Sequence, residues 1–195
     1  MKRLIVGISG ASGVIHGIRL LELLQTVENI ETHLVISTAG AQTIGLETDY
    51  TIDTVSALAD VCYRFYDIAA AISSGSFKTV GMVVIPCSMK TLAGIANSFS
   101  DNLLLRAADV VLKDRRRLVI VPRETPLHLG HLRLMTGVTE MGAILVPPMP
   151  AFYHHPKTID DLVNQNVNRV LDLLDIDLPN DLFSRWTGGK DSLGR

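Results

Sequence analysis

The sequence predicts an α/β fold with a mainly parallel sheet between two layers of helix. Two observations carry this. Short apolar runs rich in Val, Ile and Leu lack polar alternation, as in strands buried on both faces. They alternate with stretches of helical spacing, the pattern of strands joined by crossover helices.

The first strand is Leu4–Ile8, which runs into the turn Ser9-Gly10-Ala11-Ser12-Gly13. Ile15, Ile18, Leu20, Leu21, Leu23 and Leu24 then recur with helical spacing. Thr32–Ser37 reads as a second strand, followed by a helix from Ala39 to about Glu47 and a shorter helical stretch, Thr54–Ala59. Val80–Ile85 is a β-branched apolar strand bounded by Pro86. Thr91–Asn97 and Asn102–Lys113 are helical, and Leu118–Val121 is a strand ended by Pro122. Leu127–Met141 is a helix, Ala143–Val146 a strand and Thr158–Leu174 a long helix. No repeat or linker interrupts this order, so residues 1–186 read as one domain and 187–195 as a tail. Right-handed crossovers then give a single-domain, Rossmann-like or flavodoxin-like three-layer fold.

Composition narrows the function. Among 195 residues, 18 Lys and Arg face 20 Asp and Glu, a net charge of −2 without the basic excess of a nucleic-acid binder. Charged residues make up 19% and apolar ones 47%. No apolar run approaches the ~18–20 residues of a membrane span. The apolar excess therefore points to contacts between copies of the chain, not to a membrane. Two cysteines, Cys62 and Cys87, cannot build a disulfide framework, which fits a reduced, cytoplasmic compartment. Met1-Lys2-Arg3 before Leu4-Ile5-Val6 imitates a signal peptide, but the apolar run stops at Ile8, short of the ~7–15 residues such a segment needs.

Ligands of parallel sheets bind beyond the carboxyl ends of the strands. Those ends carry Ser9–Gly13, Ser37, Cys87-Ser88-Met89-Lys90-Thr91, Arg123-Glu124 and Pro147–Tyr153. Small hydroxyls, an Arg–Glu pair and a Tyr on one rim suit a phosphorylated cofactor. Gly7, Gly10 and Gly13 are three apart, so the dinucleotide fingerprint is missing. The second strand ends in Ser37-Thr38, without the acidic residue that holds a dinucleotide ribose. A mononucleotide is favoured over NAD. The first turn could instead be only a tight turn, and Ser88 only a helix cap. Cys87 reads as a buried small residue rather than a nucleophile. The histidines, including the pairs His128/His131 and His154/His155, lack the ligand spacing of a zinc site, so no metal is expected.

Several blocks resemble the flavin prenyltransferases (UbiX/Pad type). They are Gly10-Ala11-Ser12-Gly13, Cys87-Ser88-Met89-x-Thr91-x-Ala93, Arg106-Ala107-Ala108-Asp109-Val110 through Lys113-x-Arg115-Arg116, Arg123-Glu124-x-Pro126-Leu127, Pro147-Pro148-x-Pro150-Ala151-Phe152-Tyr153 and Arg185-Trp186. The likeness runs from about Leu4 to Trp186 and is greatest to the branch of that family that accompanies non-oxidative hydroxyarylic (phenolic) acid decarboxylases. It departs at His16, where the family commonly has Tyr.

The resemblance implies that a dimethylallyl group passes from dimethylallyl monophosphate to N5 and C6 of reduced FMN. The prenylated FMN so formed would serve a UbiD-type aromatic acid decarboxylase. The resemblance places Gly10, Ala11, Ser12, Ser37, Ser88, Met89, Lys90, Thr91 and Arg123 on FMN, with Ser12 at the ring and Ser37, Ser88 and Thr91 on the phosphate side. It places Tyr153, Arg169, Arg106 and Lys113 on the prenyl phosphate. Departure of phosphate from an allylic carbon needs cations at the phosphate and π electrons at the allyl group. Glu124, Glu47, Ser12, Lys113 and Trp186 are the implied catalytic residues, with Glu124 moving a proton. Arg106 and Lys113 are seven apart, two turns of one helix face. A solvated charged face is the alternative for them, and for Arg169. The resemblance also implies a closed homo-oligomer, commonly of twelve chains. Two other functions stay open: a flavin-dependent cysteine decarboxylase, and a non-catalytic FMN-binding or carrier protein of a decarboxylase complex.

Overall fold

The computed structural model describes residues 1–188. Among them, β1 (Lys2–Ile8), β2 (Ile30–Ile36), β3 (Val61–Tyr63), β4 (Gly81–Cys87), β5 (Arg117–Pro122) and β6 (Ile144–Leu145) form one six-stranded sheet in the order β3-β2-β1-β4-β5-β6. Every neighbouring pair is parallel. The chain builds outward from β1 to β3, then crosses back to place β4 on the other side of β1. The carboxyl ends of β1 and β4 therefore flank the point where strand order reverses, where parallel sheets open a crevice.

The helices are α1 (Ile15–Leu24), α2 (Thr38–Glu47), α3 (Ile52–Ser56), α4 (Met89–Ala96), α5 (Leu103–Lys113), α6 (Leu129–Glu140) and α7 (Ile159–Leu173). Successive strand residues point to opposite faces. Leu4, Val6 and Ile8 of β1 join Val83 and Ile85 of β4 in a core shared with Ile18 and Leu21 of α1 and Val167 and Leu171 of α7. Ile5, Met82, Val84 and Ile120 fill the opposite core with Leu104 and Ala108 of α5. Each fully buried Leu or Ile, Leu21 and Leu104 among them, contributes roughly 1.5–3 kcal/mol. The expected three-layer α/β fold is the observed one.

Several boundaries differ from the sequence reading. β3 was not expected; it is a three-residue edge strand, only partly buried, with no continuous apolar run to announce it. Pro86 does not bound β4 but lies within it, where the register with β5 shifts between Val84 and Cys87. A proline without an N–H fits such an irregularity. The helix expected from Leu127 starts at Leu129, because the His128 side chain caps it by accepting from the Gly130 N–H. The stretch expected at Thr54–Ala59 is α3, which starts earlier at Ile52 behind a Thr51–Thr54 capping box. The long C-terminal helix is bounded by a second such box, Thr158 with Asp161. Of the expected tail, residues 189–195 lie outside the described residues.

Candidate active site

A cavity of about 620 Å³ lies at the carboxyl ends of β1, β2 and β4. Three helices begin on its wall. Ser37 caps α2 by accepting from the Gly40 N–H at 2.9 Å. Ser88 caps α4 by accepting from the Thr91 N–H at 3.2 Å and donates to the Thr91 hydroxyl at 3.1 Å. Asn102 caps α5 by accepting from the Leu105 N–H at 3.0 Å. Each helix start carries unpaired N–H groups and the positive end of its dipole. Three such ends around one cavity make a seat for an anionic group. In α4 the cap leaves the first-turn N–H groups of Met89 and Lys90 for a ligand, while the Met89 side chain packs into the core below.

The glycine-rich turn is tied to this wall. The Ser9 hydroxyl, 1% exposed, donates to the Pro86 carbonyl and accepts from the Ser88 N–H at 2.8 Å, which joins the first turn to the second. Gly10 lines the cavity against Ala39. Gly13 has φ +93°, a conformation that favours glycine. Its peptide is held from both sides. The N–H donates to the Glu47 carboxylate at 2.8 Å, and the carbonyl accepts from His16 Nδ1 at 3.0 Å. A carbonyl can only accept, so Nδ1 carries the proton. Burial keeps the His16 imidazole below its ordinary pKa, against the opposing pull of this hydrogen bond. The structure thus brings Glu47, from the end of α2, to the turn that holds Ala11 and Ser12.

Arg123 and Glu124 follow β5 and are exposed. The Arg123 N–H donates to the Cys87 carbonyl, which sets this loop beside the second turn. Glu124 accepts from the Thr125 N–H at 2.9 Å. Cys87 is buried at the end of β4, and burial pushes its thiol far above the usual range, so it is no nucleophile.

A second cluster forms where the Pro147–Tyr153 loop meets the C-terminal segment. The Tyr153 and Trp186 rings meet edge to face at 5.6 Å, and Phe183 lies 6.5 Å from Tyr153. Arg169 of α7 pairs with Asp172 at 2.8 Å, and Asp172 also receives Arg185. Burial raises the Asp172 carboxyl, but the Arg185 and Arg169 guanidiniums more than offset this and hold it below the usual carboxylate range.

Arg106 directly follows Leu105, which lines the cavity, but its guanidinium is held by other partners, and Lys113 lies at the far end of α5. Arg106 donates to the Ser73 carbonyl and pairs with Asp109 at 2.8 Å. Lys113 ends α5 and pairs with Asp114 at 2.7 Å, beside the start of β5 at the opposite end of the sheet. The sequence reading also missed cavity residues. Phe65 and Tyr66 follow the unexpected β3, and Phe99, Asp101 and Asn102 precede α5. Asn102 carried a readable signal, since Asn before an apolar helical run is a cap. Among the described residues no group of three or more His, Cys, Asp or Glu gathers as metal ligands, and no helix is long and apolar enough to cross a membrane.

A parallel sheet with an anion seat at its switch point defines a flavoprotein-like α/β domain, and comparison with known proteins makes this specific. The flavoprotein family model matches residues 1–171, and the chain belongs to that family. Over 188 residues, 96% of this chain and 100% of the relative, it is 65% identical to the flavin prenyltransferase UbiX of Escherichia coli K12. A dodecameric FMN-dependent UbiX-like decarboxylase from E. coli O157:H7 superposes with a TM-score of 0.91 at 54% identity, covering 95% of this chain and 99% of that one. AnUbiX (PadA1), solved with FMN and dimethylallyl pyrophosphate, does so at 0.93 and 51% identity, over 97% and 99%. The peptidyl-cysteine decarboxylase EpiD, 17% identical with a TM-score of 0.62, shares the fold alone.

Proposed function

We propose that the chain is a flavin prenyltransferase that joins the dimethylallyl group of dimethylallyl monophosphate to N5 and C6 of reduced FMN. The observation that carries this is the 65% identity to a flavin prenyltransferase along 96% of the chain. The cavity where three helix starts meet supports an FMN phosphate as occupant.

In this reading Ser37, Ser88, Thr91 and the first-turn amides of α4 hold the phosphate of FMN. Gly10, Ala11 and Ser12 approach the ring, and Arg123 offsets negative charge on reduced flavin. FMN supplies the nucleophilic nitrogen and carbon; the protein supplies position, charge and protons. Tyr153 and Arg169 hold the prenyl phosphate, with Trp186 presenting π electrons to the allyl group. Glu124 transfers a proton, and Glu47, fixed on the Gly13 N–H, keeps a carboxylate at the turn beside Ser12.

The enzyme works as a closed homo-oligomer, as the dodecameric relative supports. Exposed apolar side chains such as Leu46 (84%), Phe152 (68%) and Leu129 (61%) are suited to such contacts. Lys113, at the far end of α5 from the cavity in one chain, reaches the prenyl phosphate from a neighbouring copy, and Arg106 joins it there. The product goes to a UbiD-type decarboxylase, and the place of work is the cytoplasm. The test is anaerobic incubation of the protein with reduced FMN and dimethylallyl monophosphate, followed by mass analysis of the flavin. A gain of one prenyl unit is expected; flavin recovered unchanged overturns the proposal.

A further inference from the structure

Asp172 stands in the last turn of α7. A carboxylate there opposes the helix dipole, which favours cations at that end. Four donors compensate it. Asn168 Nδ2 approaches one oxygen at 3.3 Å and Arg185 Nη2 the same oxygen at 2.8 Å. Arg169 Nη1 and Arg185 Nη1 reach the other at 2.8 and 2.9 Å. A carboxylate offers about four acceptor sites, so this one is filled. Arg185 spends the rest of its fork on Asp181, with Nε and Nη2 at 2.7 and 2.6 Å. Asn168, only 2% exposed, also accepts the Leu182 N–H at 3.0 Å. The segment 181–185 is therefore fastened to α7 twice, by the Leu182 N–H on Asn168 and by Arg185 on Asp172, and Arg185 ties it back to Asp181. Trp186 follows at once, its ring 5.6 Å from Tyr153.

We propose that Asp172 is a positioning residue, which, on the prenyltransferase reading above, seats Arg169 for the prenyl phosphate and, through Arg185, sets Trp186 against Tyr153. One carboxylate thereby orients both the cation for the leaving group and the aromatic pair beside the allyl group. Asp172 and Arg185 act through the side chains they hold, since their hydrogen bonds are spent on Asn168, Arg169, Asp181 and each other. Isolated surface ion pairs contribute little, but a bidentate guanidinium shared between two carboxylates fixes direction as well as distance.

Trp186 is the only tryptophan, so its fluorescence reports the seat directly, without substrate. In the assembled protein, Asp172→Asn and Arg185→Ala should each shift Trp186 emission to the red and increase its quenching by acrylamide. Arg185→Lys keeps charge but loses the fork and should fall between them and wild type. With substrate, KM for dimethylallyl monophosphate should rise about tenfold, the equivalent of ~1.4 kcal/mol, while FMN affinity stays unchanged. Thermal melts confirm that the variants are folded. Wild-type emission and quenching in both Asp172→Asn and Arg185→Ala would overturn the proposal. So would altered fluorescence with an unchanged KM. If neither wild type nor variant prenylates FMN, the prenyltransferase reading fails, while the fluorescence still decides whether Asp172 seats Trp186.

Discussion

Gly10→Ala tests whether the first turn and the start of α2 form one wall of the FMN seat. A methyl group on Gly10 would lie 2.3 Å from the Ala39 Cβ, 3.0 Å from its carbonyl carbon and 3.2 Å from its Cα. Carbon atoms pack at ~3.5–4.0 Å, so the start of α2 must retreat by about 1 Å. The Ala39 Cβ has no rotatable bond by which to swing away, the other two atoms are backbone, and the Ser37 N–H is anchored to the Ile8 carbonyl at 2.9 Å, so the strain is not dissipated locally. Overpacking of this kind costs ~1–3 kcal/mol of stability. The retreat also carries away Ser37 and Thr38, which line the cavity. Losing one hydrogen bond to a charged group removes ~1.5–3 kcal/mol, so the Kd for FMN should rise at least about tenfold. Adding Ala39→Gly removes the 2.3 Å contact and leaves the two longer ones, so the double variant should recover part of both losses. Gly45→Ala is the control: nothing lies within 4 Å of its added methyl, and helix propensity there favours Ala by up to ~1 kcal/mol. Urea denaturation and FMN titration read the two effects. A Gly10→Ala protein with wild-type midpoint and wild-type Kd would refute the reasoning.

Other predictions concern chemistry, pH and assembly. Glu124→Gln should bind FMN as wild type does but form prenylated flavin ~10²–10⁴ more slowly in anaerobic single turnovers, and an equal rate would remove Glu124 from the mechanism. His16 has its pKa lowered chiefly by burial, so the unfolded chain binds more protons than the folded one between the lowered value and about 6.5. Its share of stability is whole above that range and is lost as pH falls through the folded pKa. His16→Asn, which can still donate to the Gly13 carbonyl, should lose less stability than wild type between pH 7 and 5; His33, also lowered by burial, leaves a residual slope. Superimposable urea midpoints across that range would contradict this. Leu46→Lys places charge on a side chain 84% exposed, next to Glu47, and should reduce both the particle size by light scattering and the prenylation rate. A small, fully active species would argue against a shared site.

The core strands were legible because burial on both faces leaves an unbroken apolar run, as at Val80–Ile85. β3 was not, because an edge strand of three residues is only half-covered and carries Cys62 and Tyr63 without any run. Missing it hid Phe65 and Tyr66, which the strand-end rule would otherwise have located. Ser37 and Ser88 were legible as hydroxyls at strand ends, with a cap role weighed for Ser88 alone, and the structure makes both helix caps. Their place on the wall comes from the helices that they start. Arg106 and Lys113 could be read as sharing a helix face, but spacing alone does not say where that face points. In the chain it runs from Arg106, beside the cavity-lining Leu105, to Lys113 at the opposite end of the sheet, so only the family resemblance links both residues to substrate.

That separation bears on how the chemistry is assembled. The cavity proposed for FMN belongs to the strand ends of β1, β2 and β4, whereas Tyr153 follows the edge strand β6 and joins Trp186 from the C-terminal segment. The rim between them is open: Tyr66 and Phe99, both lining the cavity, are 69% and 60% exposed, and Trp186 is 62% exposed. Allylic substitution needs water kept from the reacting carbon. Aromatic side chains left in solvent at such a rim are suited to being covered by an apolar partner surface. A second copy of the chain is the simplest such partner, because it would also bring Lys113, which α5 carries away from its own cavity. On the prenyltransferase reading, a site divided between chains would account at once for the high apolar fraction, the exposed rim and a Lys113 that stands at the far end of α5.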